Sequence, residues 1–481
     1  MDHSAGHDRP WFSGISEAMA EAFSEFLTIP TCIIIGFLAL SIGSYLLDRA
    51  APQWLAVLRN LLLAHVFADP QATNSLLSII AAGLITVTSI TISLLLLALQ
   101  QSAANFTAQI LDQYMRRRIN QAYFGFFVGL ALYSLVTLAT INKPFNPVFG
   151  AALAFLLTVA ALYLLIVLLY TTINQMRPAQ IMEAIHDHVL AARECQLDLI
   201  GKTRRAPISN SPPSLQIKAQ EEGFVTKIDV DRISGTAQRL FPGAEVTLVV
   251  SIGSYVAFQD VIATATEVAG AHTGDDAAGF IKTVQAAVTL ERQRDITADA
   301  AYGIEQLAMI GWTSISSAKS NLAAGLLALH ALRDILARWS LENQPEEKKE
   351  EQISPVLAVV YSDDTFGQLL DAFESLAVIS SESMQYQVFA EVLRTFAIMY
   401  PRLPGQHRPR VEDLLLRILP ALGDHVLTRD LDSALDALLR TMTSCSRLKT
   451  AALVEKAHRQ LQQSVGKLGS RSTRVASDDA G

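Results

Sequence analysis

The sequence predicts a membrane α-helical fold of four spanning helices joined to a cytoplasmic α+β region, which holds a small β domain and a helical C-terminal part. Three observations predict it. Four stretches in the first third of the chain are apolar over the roughly 20 residues that a helix needs to cross a hydrocarbon core about 30 Å thick. Beyond them the hydrophobic period drops from about 3.6 residues to about 2 and then returns. Composition agrees: 51% hydrophobic and 17% charged residues are too apolar for an ordinary soluble enzyme and too polar for a chain made wholly of spanning helices.

Charge and cysteine usage exclude further classes. A net charge of −8 with no long basic run argues against nucleic acid, because phosphate binding needs Lys and Arg clustered on one face. Cys32, Cys195 and Cys445 are far apart and lack CxxC spacing, so free thiols are expected rather than disulfides or a cysteine zinc site. Residues 1–27 carry Asp2, Asp8, Glu17, Glu21 and Glu25 against Arg9, which does not fit the basic start of a secretion signal and reads as an N-terminal tail.

The spans are expected at 28–47, 75–98, 122–141 and 148–170, within a transmembrane domain of residues 28–175. The second belongs to an uncharged run from Pro70 to Leu111, about 60 Å long if wholly helical, so part of it must leave the lipid, tilt or break. Arg116, Arg117 and Arg118 between spans two and three, with Arg177 and Arg193 after span four, outnumber Arg49, Arg59 and Lys143 on the other side. That bias, with an even number of spans, puts both termini and the large C-terminal region in the cytoplasm of a multi-pass inner-membrane protein.

After span four, IMEAIHDHVLAARECQLDLI reads as a helix and TRRAPISNSPP as a turn-rich linker, together residues 176–213. GFVTKIDV alternates Phe224, Thr226, Ile228 and Val230 with polar residues, and AEVTLVVSIGSYVAFQDVIATAT alternates Val246, Leu248 and Val250 before a turn at Gly253. Asp275, Asp276 and nearby glycines mark a loop, IKTVQAAVTL is a further strand candidate, and residues 214–290 are expected to form the small β domain. A helix pair follows in 291–345, the first carrying Ile304, Leu307, Ala308 and Gly311 after an N-cap at Asp299, the second running from Leu322 to Trp339. NQPEEKKEEQ is a solvated linker, 346–465 read as amphipathic helices punctuated at Pro401, Pro404 and Pro420, and 466–481 as a disordered tail.

Polar residues inside the membrane are the main functional signal. At about 100° per residue, Ser75, Ser78, Thr86, Ser89 and Ser93 share an arc of about 80° on span two. Such a stripe serves either close helix packing, with hydroxyls bonding across the contact, or a polar route with Gln100, Gln101 and Asn105 at its cytoplasmic mouth. Gly125 and Gly129 form a GxxxG that permits close backbone approach. No Asp, Glu, Lys or Arg falls inside the expected spans, so a buried proton relay is poorly supported.

Catalytic and metal signals are weak. Glu183 and His186 stand one helical turn apart, with His188 beside them, but no matching partner segment exists, and His3 and His7 are weaker still. There is no GxSxG, Walker loop or HExxH, and no metal or cofactor is expected. VTLVVSIGSYVAFQDVIATA is similar to the hairpin rhythm of lipoyl or barrel-sandwich domains, without a lysine at the turn to carry a swinging arm.

The chain as a whole resembles the predicted bacterial membrane proteins grouped as domain of unknown function 2254. The resemblance rests on LITVTSITISLLLLALQQSAANFTAQIL, RRRINQAYFGFFVGLALYSLVTL, GFVTKIDVDRI and RDITADAAYGIEQLAMIGWTSISSAKSN, and covers most of residues 20–450. The family tends toward Ser-Pro-x-x-Asn-Asp-Pro between the two cytoplasmic helices, where this chain reads Ser316-Ser317-Ala318-Lys319-Ser320-Asn321-Leu322. Both prolines and the aspartate are missing, and Asn321 remains able to cap the second helix. The resemblance supports the architecture and leaves activity open.

The leading functional expectation is a channel-like or transport-related protein whose span-two stripe lines a route for ions or a small solute and whose cytoplasmic domain regulates it. The alternative is a non-catalytic membrane-anchored scaffold or sensor that binds a cytoplasmic partner. An enzyme would rest on Arg294, Asp299 and Asn321, for which helix capping and salt bridging are the preferred reading. The expected partners are the lipid bilayer and further copies of the chain.

Overall fold

The computed structural model describes residues 27–50, 53–65, 67, 69–103, 118–142, 145–175, 177–208, 212–266, 274–316, 321–342 and 358–463. The chain divides into two compact units, Met1–Arg177 and Pro178–Gly481.

In the first unit, helices α1 (Thr28–Ala50), α3 (Pro70–Ala103), α4 (Arg118–Ala139) and α5 (Val148–Gln175) contain the four segments long and apolar enough to cross a membrane. The run from Pro70 stays helical without a break through Ala103, about 51 Å at 1.5 Å per residue. A short helix absent from the sequence reading, α2 (Ala56–His65), lies between the first two spans, with Trp54, Val57, Leu58 and Leu61 exposed along it and the turn before it. Helix α4 packs against α1, α3 and α5. Its Phe127, Leu130 and Tyr133 meet Phe37 of α1, Leu77, Ile80 and Leu84 of α3, and Ala151 and Ala154 of α5 in one apolar core.

Close approach of α1 and α4 follows from two glycines. A Cβ at Gly125 would stand 2.8 Å from Pro30 Cα, and one at Gly129 would overlap the Phe37 ring. The GxxxG thus lets backbone and aromatic ring meet where any larger residue would force the helices apart.

One expectation about the spans is corrected. Helix α1 runs on to Ala50 and takes in Asp48, which is 3% exposed. Its Oδ1 accepts from the Phe149 N–H and its Oδ2 from the Gly150 N–H, both at 2.9 Å. The first turn of a helix leaves backbone donors without intrahelical partners, and this carboxylate takes two of those of α5. Tyr133 closes the cluster, donating to Ser44 Oγ (3.2 Å) or the Gly150 carbonyl (3.1 Å).

The second unit opens with α6 (Pro178–Gly201), which buries Met182, Ile185, Val189, Ala192, Gln196 and Leu199 at alternating steps of three and four. Strands β1 (Leu215–Lys218), β2 (Gly223–Ile228), β3 (Glu245–Leu248), β4 (Tyr255–Val256), β5 (Val261–Thr266) and β6 (Val288–Glu291) follow, with α7 (Val230–Leu240) and α8 (Gly274–Ala287) interposed. With a seventh, β7 (Val359–Val360), they form two sheets, ordered β1-β5-β3-β7 and β4-β2-β6. The seventh strand comes from far downstream and pairs parallel with β3. Arg204 joins the other edge of β7, donating to the Val359 carbonyl at 3.0 Å and accepting from the Tyr361 N–H at 2.9 Å.

Three strand-region expectations change. Most of IKTVQAAVTL is helical, because Phe280, Val284 and Ala287 recur at helical spacing and are buried together; only Val288–Leu290 continue as strand. Asp275 and Asp276 sit in the first turn of α8, not in a loop. The β structure is not confined to 214–290 or built as simple hairpins, since helices interrupt it and Val359 and Val360 complete its larger sheet.

Helices α9 (Ala300–Ser316) and α10 (Leu322–Glu342) pack against each other and on α6, and α9 also packs on α11 (Thr365–Glu382). The rest is α12 (Tyr386–Met399), α13 (Arg408–Ile418), α14 (Arg429–Ser444) and α15 (Leu448–Gln463). Pro401, Pro404 and Pro420 stand at the starts of short 3-10 turns between these helices, where a missing N–H costs least.

Candidate functional site

A cavity of about 290 Å³ in the second unit gathers charged and aromatic side chains from six places in the chain. Arg193 and Ile200 come from α6, Arg205 from the linker after it, and Trp339 from α10. Tyr361, Ser362, Asp363 and Asp364 form the turn from β7 into α11, which adds Phe366; Gln406, His407 and Arg410 come from the 3-10 turn and first turn of α13.

Arg193 and Arg410 have defined partners. Arg193 lies over the Trp339 ring, 4.8 Å from its centroid, and donates to Asp363 Oδ2 at 3.1 Å with both side chains largely buried. Thr365 Oγ1 donates to the same carboxylate oxygen at 2.9 Å. Arg410 donates to Asp364 Oδ1 at 2.5 Å. The Phe366 and His407 rings stack at 3.8 Å between centroids. Burial, then Arg410, Arg205 and Arg193, push the His407 imidazole down to about 4, so it is neutral at neutral pH. The Tyr361 hydroxyl accepts from the Ile252 N–H at 3.3 Å, and burial pushes its phenol up, keeping it protonated. Three guanidiniums and two carboxylates line this wall.

None of these cavity residues was singled out as a site in the sequence. The signal was present but split: TRRAP at 203–207 and HRPR at 407–410 are two short basic, proline-containing pieces that look like connectors until the fold brings them together.

The span-two hydroxyls lie elsewhere. Ser75, Ser78, Thr86, Ser89 and Ser93 are on the exposed face of α3, whereas its buried face carries Thr73, Leu77, Ile80, Ala81, Leu84 and Thr91. Several of them bond within the helix: Ser75 to the Gln71 carbonyl (3.0 Å), Thr86 to the Ala82 carbonyl (2.9 Å) and Ser93 to the Ser89 carbonyl (3.0 Å). Ser78 donates to Asn74 Oδ1 at 3.4 Å. A hydroxyl that returns its proton to the carbonyl one turn back can face lipid without an orphan donor. Gln100 and Gln101 fall in the last turn of α3; Asn105 lies outside the described residues.

The three residues considered for an enzyme site do not converge. Arg294 Nε donates to Asp299 Oδ2 at 2.7 Å and its Nη1 to Glu305 Oε2 at 2.6 Å, with the guanidinium 4.7 Å from the Tyr302 ring centroid. Asp299 Oδ1 accepts from the Tyr302 N–H at 3.0 Å, capping α9. Asn321 lies past the opposite end of that helix, about 24 Å along, where its Oδ1 accepts from the Ala324 N–H at 3.3 Å and caps α10. His186 turns from Glu183 to Asp334, with 2.8 Å between Nε2 and Oδ2. Burial pushes the Asp334 carboxyl up, but hydrogen bonds from Arg338 and His186 outweigh it and hold it below the usual carboxylate range. Among the described residues, no three His, Cys, Asp or Glu side chains stand together as a metal site.

The model of a family described as a predicted membrane protein, DUF2254, matches residues 24–397. This chain is a member of that family. The match takes in the four apolar helices of the DUF2254 chain and most of the cavity wall, and ends before His407 and Arg410. Uncharacterized proteins of Mycobacterium tuberculosis and Mycobacterium bovis are each 21% identical to it over 296 residues, covering 60% of this chain and 56% of theirs. The chain therefore aligns with little more than half the length of these relatives. No solved structure matches it.

Proposed function

We propose that this DUF2254 protein is a membrane-anchored sensor, in which the four apolar helices hold the chain in the plasma membrane and the second unit takes up a small charged ligand from the cytoplasm. The observation that carries this reading is the cavity: six separate parts of the chain contribute to it, Arg193 is held by stacking on Trp339 and pairing with Asp363, and Arg410 pairs with Asp364. Pockets that bind small molecules are concave, partly aromatic and carry a few convergent polar groups. The excess of Arg near one side of the spans supports a cytoplasmic location for this unit and for both termini. In the test, the full chain in lipid nanodiscs is melted with a panel of anionic, neutral and cationic metabolites. One class should stabilise it saturably, and Ser362→Trp, which fills the exposed mouth of the cavity, should remove the effect. No stabilisation by any class, or the same stabilisation in Ser362→Trp, rejects the sensor.

A second reading, a channel-like assembly of several copies conducting ions or a small solute, is favoured by the hydroxyls that α3 presents outward rather than to its own bundle. Liposome flux measurements test it. Flux above that of empty vesicles, reduced by Ser89→Leu and Ser93→Leu, is the expected result; flux indistinguishable from empty vesicles removes it.

A further inference from the structure

We propose that the cavity is a receptor for a phosphomonoester group, which takes Arg193 and Arg410 as ligands in exchange for Asp363 and Asp364. The proposal rests on the sensor reading above and names its ligand class.

The geometry supplies what a phosphoryl group needs. A guanidinium is a planar fork of donors that matches phosphate in two-point contact, and three of them line this one cavity. Two are held by carboxylates on adjacent residues of a single short turn, so one small movement of residues 362–364 would release both Arg193 and Arg410. Two helices begin at the same wall. Asp364 precedes α11 and His407 precedes α13, and neither side chain makes a capping hydrogen bond. Backbone donors at the start of α11, with the positive end of the helix dipole, favour an anion, whereas Pro409 removes one donor from the first turn of α13.

Charge selects the dianion over simpler acids. With the two aspartates displaced, the Arg193 and Arg410 guanidiniums face a group that carries roughly −1.5 to −2 at neutral pH and three terminal oxygens, whereas a carboxylate offers one charge and two oxygens. The stacked Phe366 and His407 rings, with Trp339 and Tyr361, give an adjoining wall suited to a flat or apolar remainder. At about 290 Å³ the space is near the lower end for ligand pockets, which limits the compound to about the size of a nucleoside monophosphate.

The experiment uses the full chain in phosphatidylcholine nanodiscs, melted and titrated with inorganic phosphate, AMP and glycerol 3-phosphate, with chloride at matched ionic strength as control. At least one phosphate should stabilise saturably. Arg410→Gln should weaken it about tenfold, the loss of one charge-assisted contact. Asp364→Asn should strengthen it, because it removes the competitor, and misfolding would not produce a gain. Nanodiscs containing phosphatidic acid separate the two sources of this chemistry: stabilisation there alone, weakened by Arg410→Gln, assigns the group to a lipid headgroup. Stabilisation by citrate or succinate without phosphate overturns the phosphomonoester and leaves the sensor standing. Absence of any response to these phosphates, soluble and lipid, or unchanged binding in both variants, overturns it as well.

Discussion

At the scale of single residues, Asp299 has two partners that separate cleanly. One oxygen caps α9 through the Tyr302 N–H and the other holds Arg294, and the carboxylate is 1% exposed. Asp299→Ala should cost about 1–3 kcal/mol, because it removes one of the two carboxylates that hold Arg294 and uncaps the helix. Asp299→Asn, which keeps an acceptor, should cost less; chemical unfolding followed by tryptophan fluorescence measures both. His407 gives a pH prediction. Its folded value lies near 4, below the ordinary 6.5, so the unfolded chain binds the extra proton first. Stability of the second unit should hold above about pH 6.5 and fall as the pH drops toward 4. Arg410, Arg205 and Arg193 oppose protonation there and Asp364 favours it, and His407→Gln should flatten that limb of the stability profile.

At the scale of elements, the four long apolar helices of the first unit were legible because length and composition alone specify a segment able to span, whereas the short α2 was missed. Asp48 was not, since its role depends on backbone donors at 149 and 150 that only the fold brings to it. The strand expected at IKTVQAAVTL forms only in its last three residues: the short mixed stretch satisfies two periodicities, and burial of Phe280, Val284 and Ala287 on one face decided for the helix before them. Gly129 was visible as half of a motif, but its partner Phe37 was not. Gly129→Leu should separate α1 from α4 and cost about 1–3 kcal/mol or more, read as a lower melting temperature in detergent, with Gly83→Leu, where a Cβ meets nothing within 4 Å, as a mild control. On the exposed face of α3, Ser89→Leu and Ser93→Leu should change stability by less than about 0.5 kcal/mol, because they remove hydroxyls that are not part of the core.

At the scale of the whole molecule, the cavity was the least legible feature. Arg193 counted in the sequence only as a marker of membrane orientation, Arg205 stood within a linker, and Arg410 stood unremarked within the stretch read as amphipathic helices. Nothing local ties them together; the tie is tertiary, through the packing of α6, α10, α11 and α13 around the end of β7. A reader of the sequence sees charges, whereas a ligand would see their convergence.

The return of Val359 and Val360 to β3 has a practical consequence. Glu342 looks like a natural place to stop a recombinant fragment, but a protein cut there would lack the neighbour that pairs with Val246 and Thr247, exposing an open strand edge of the kind that recruits other molecules. Trypsin acting at Lys348 or Lys349 should instead yield two pieces that migrate as one species on a sizing column and part only in denaturant, because the ladder and the buried Val359 and Tyr361 side chains would clasp them across the missing bond.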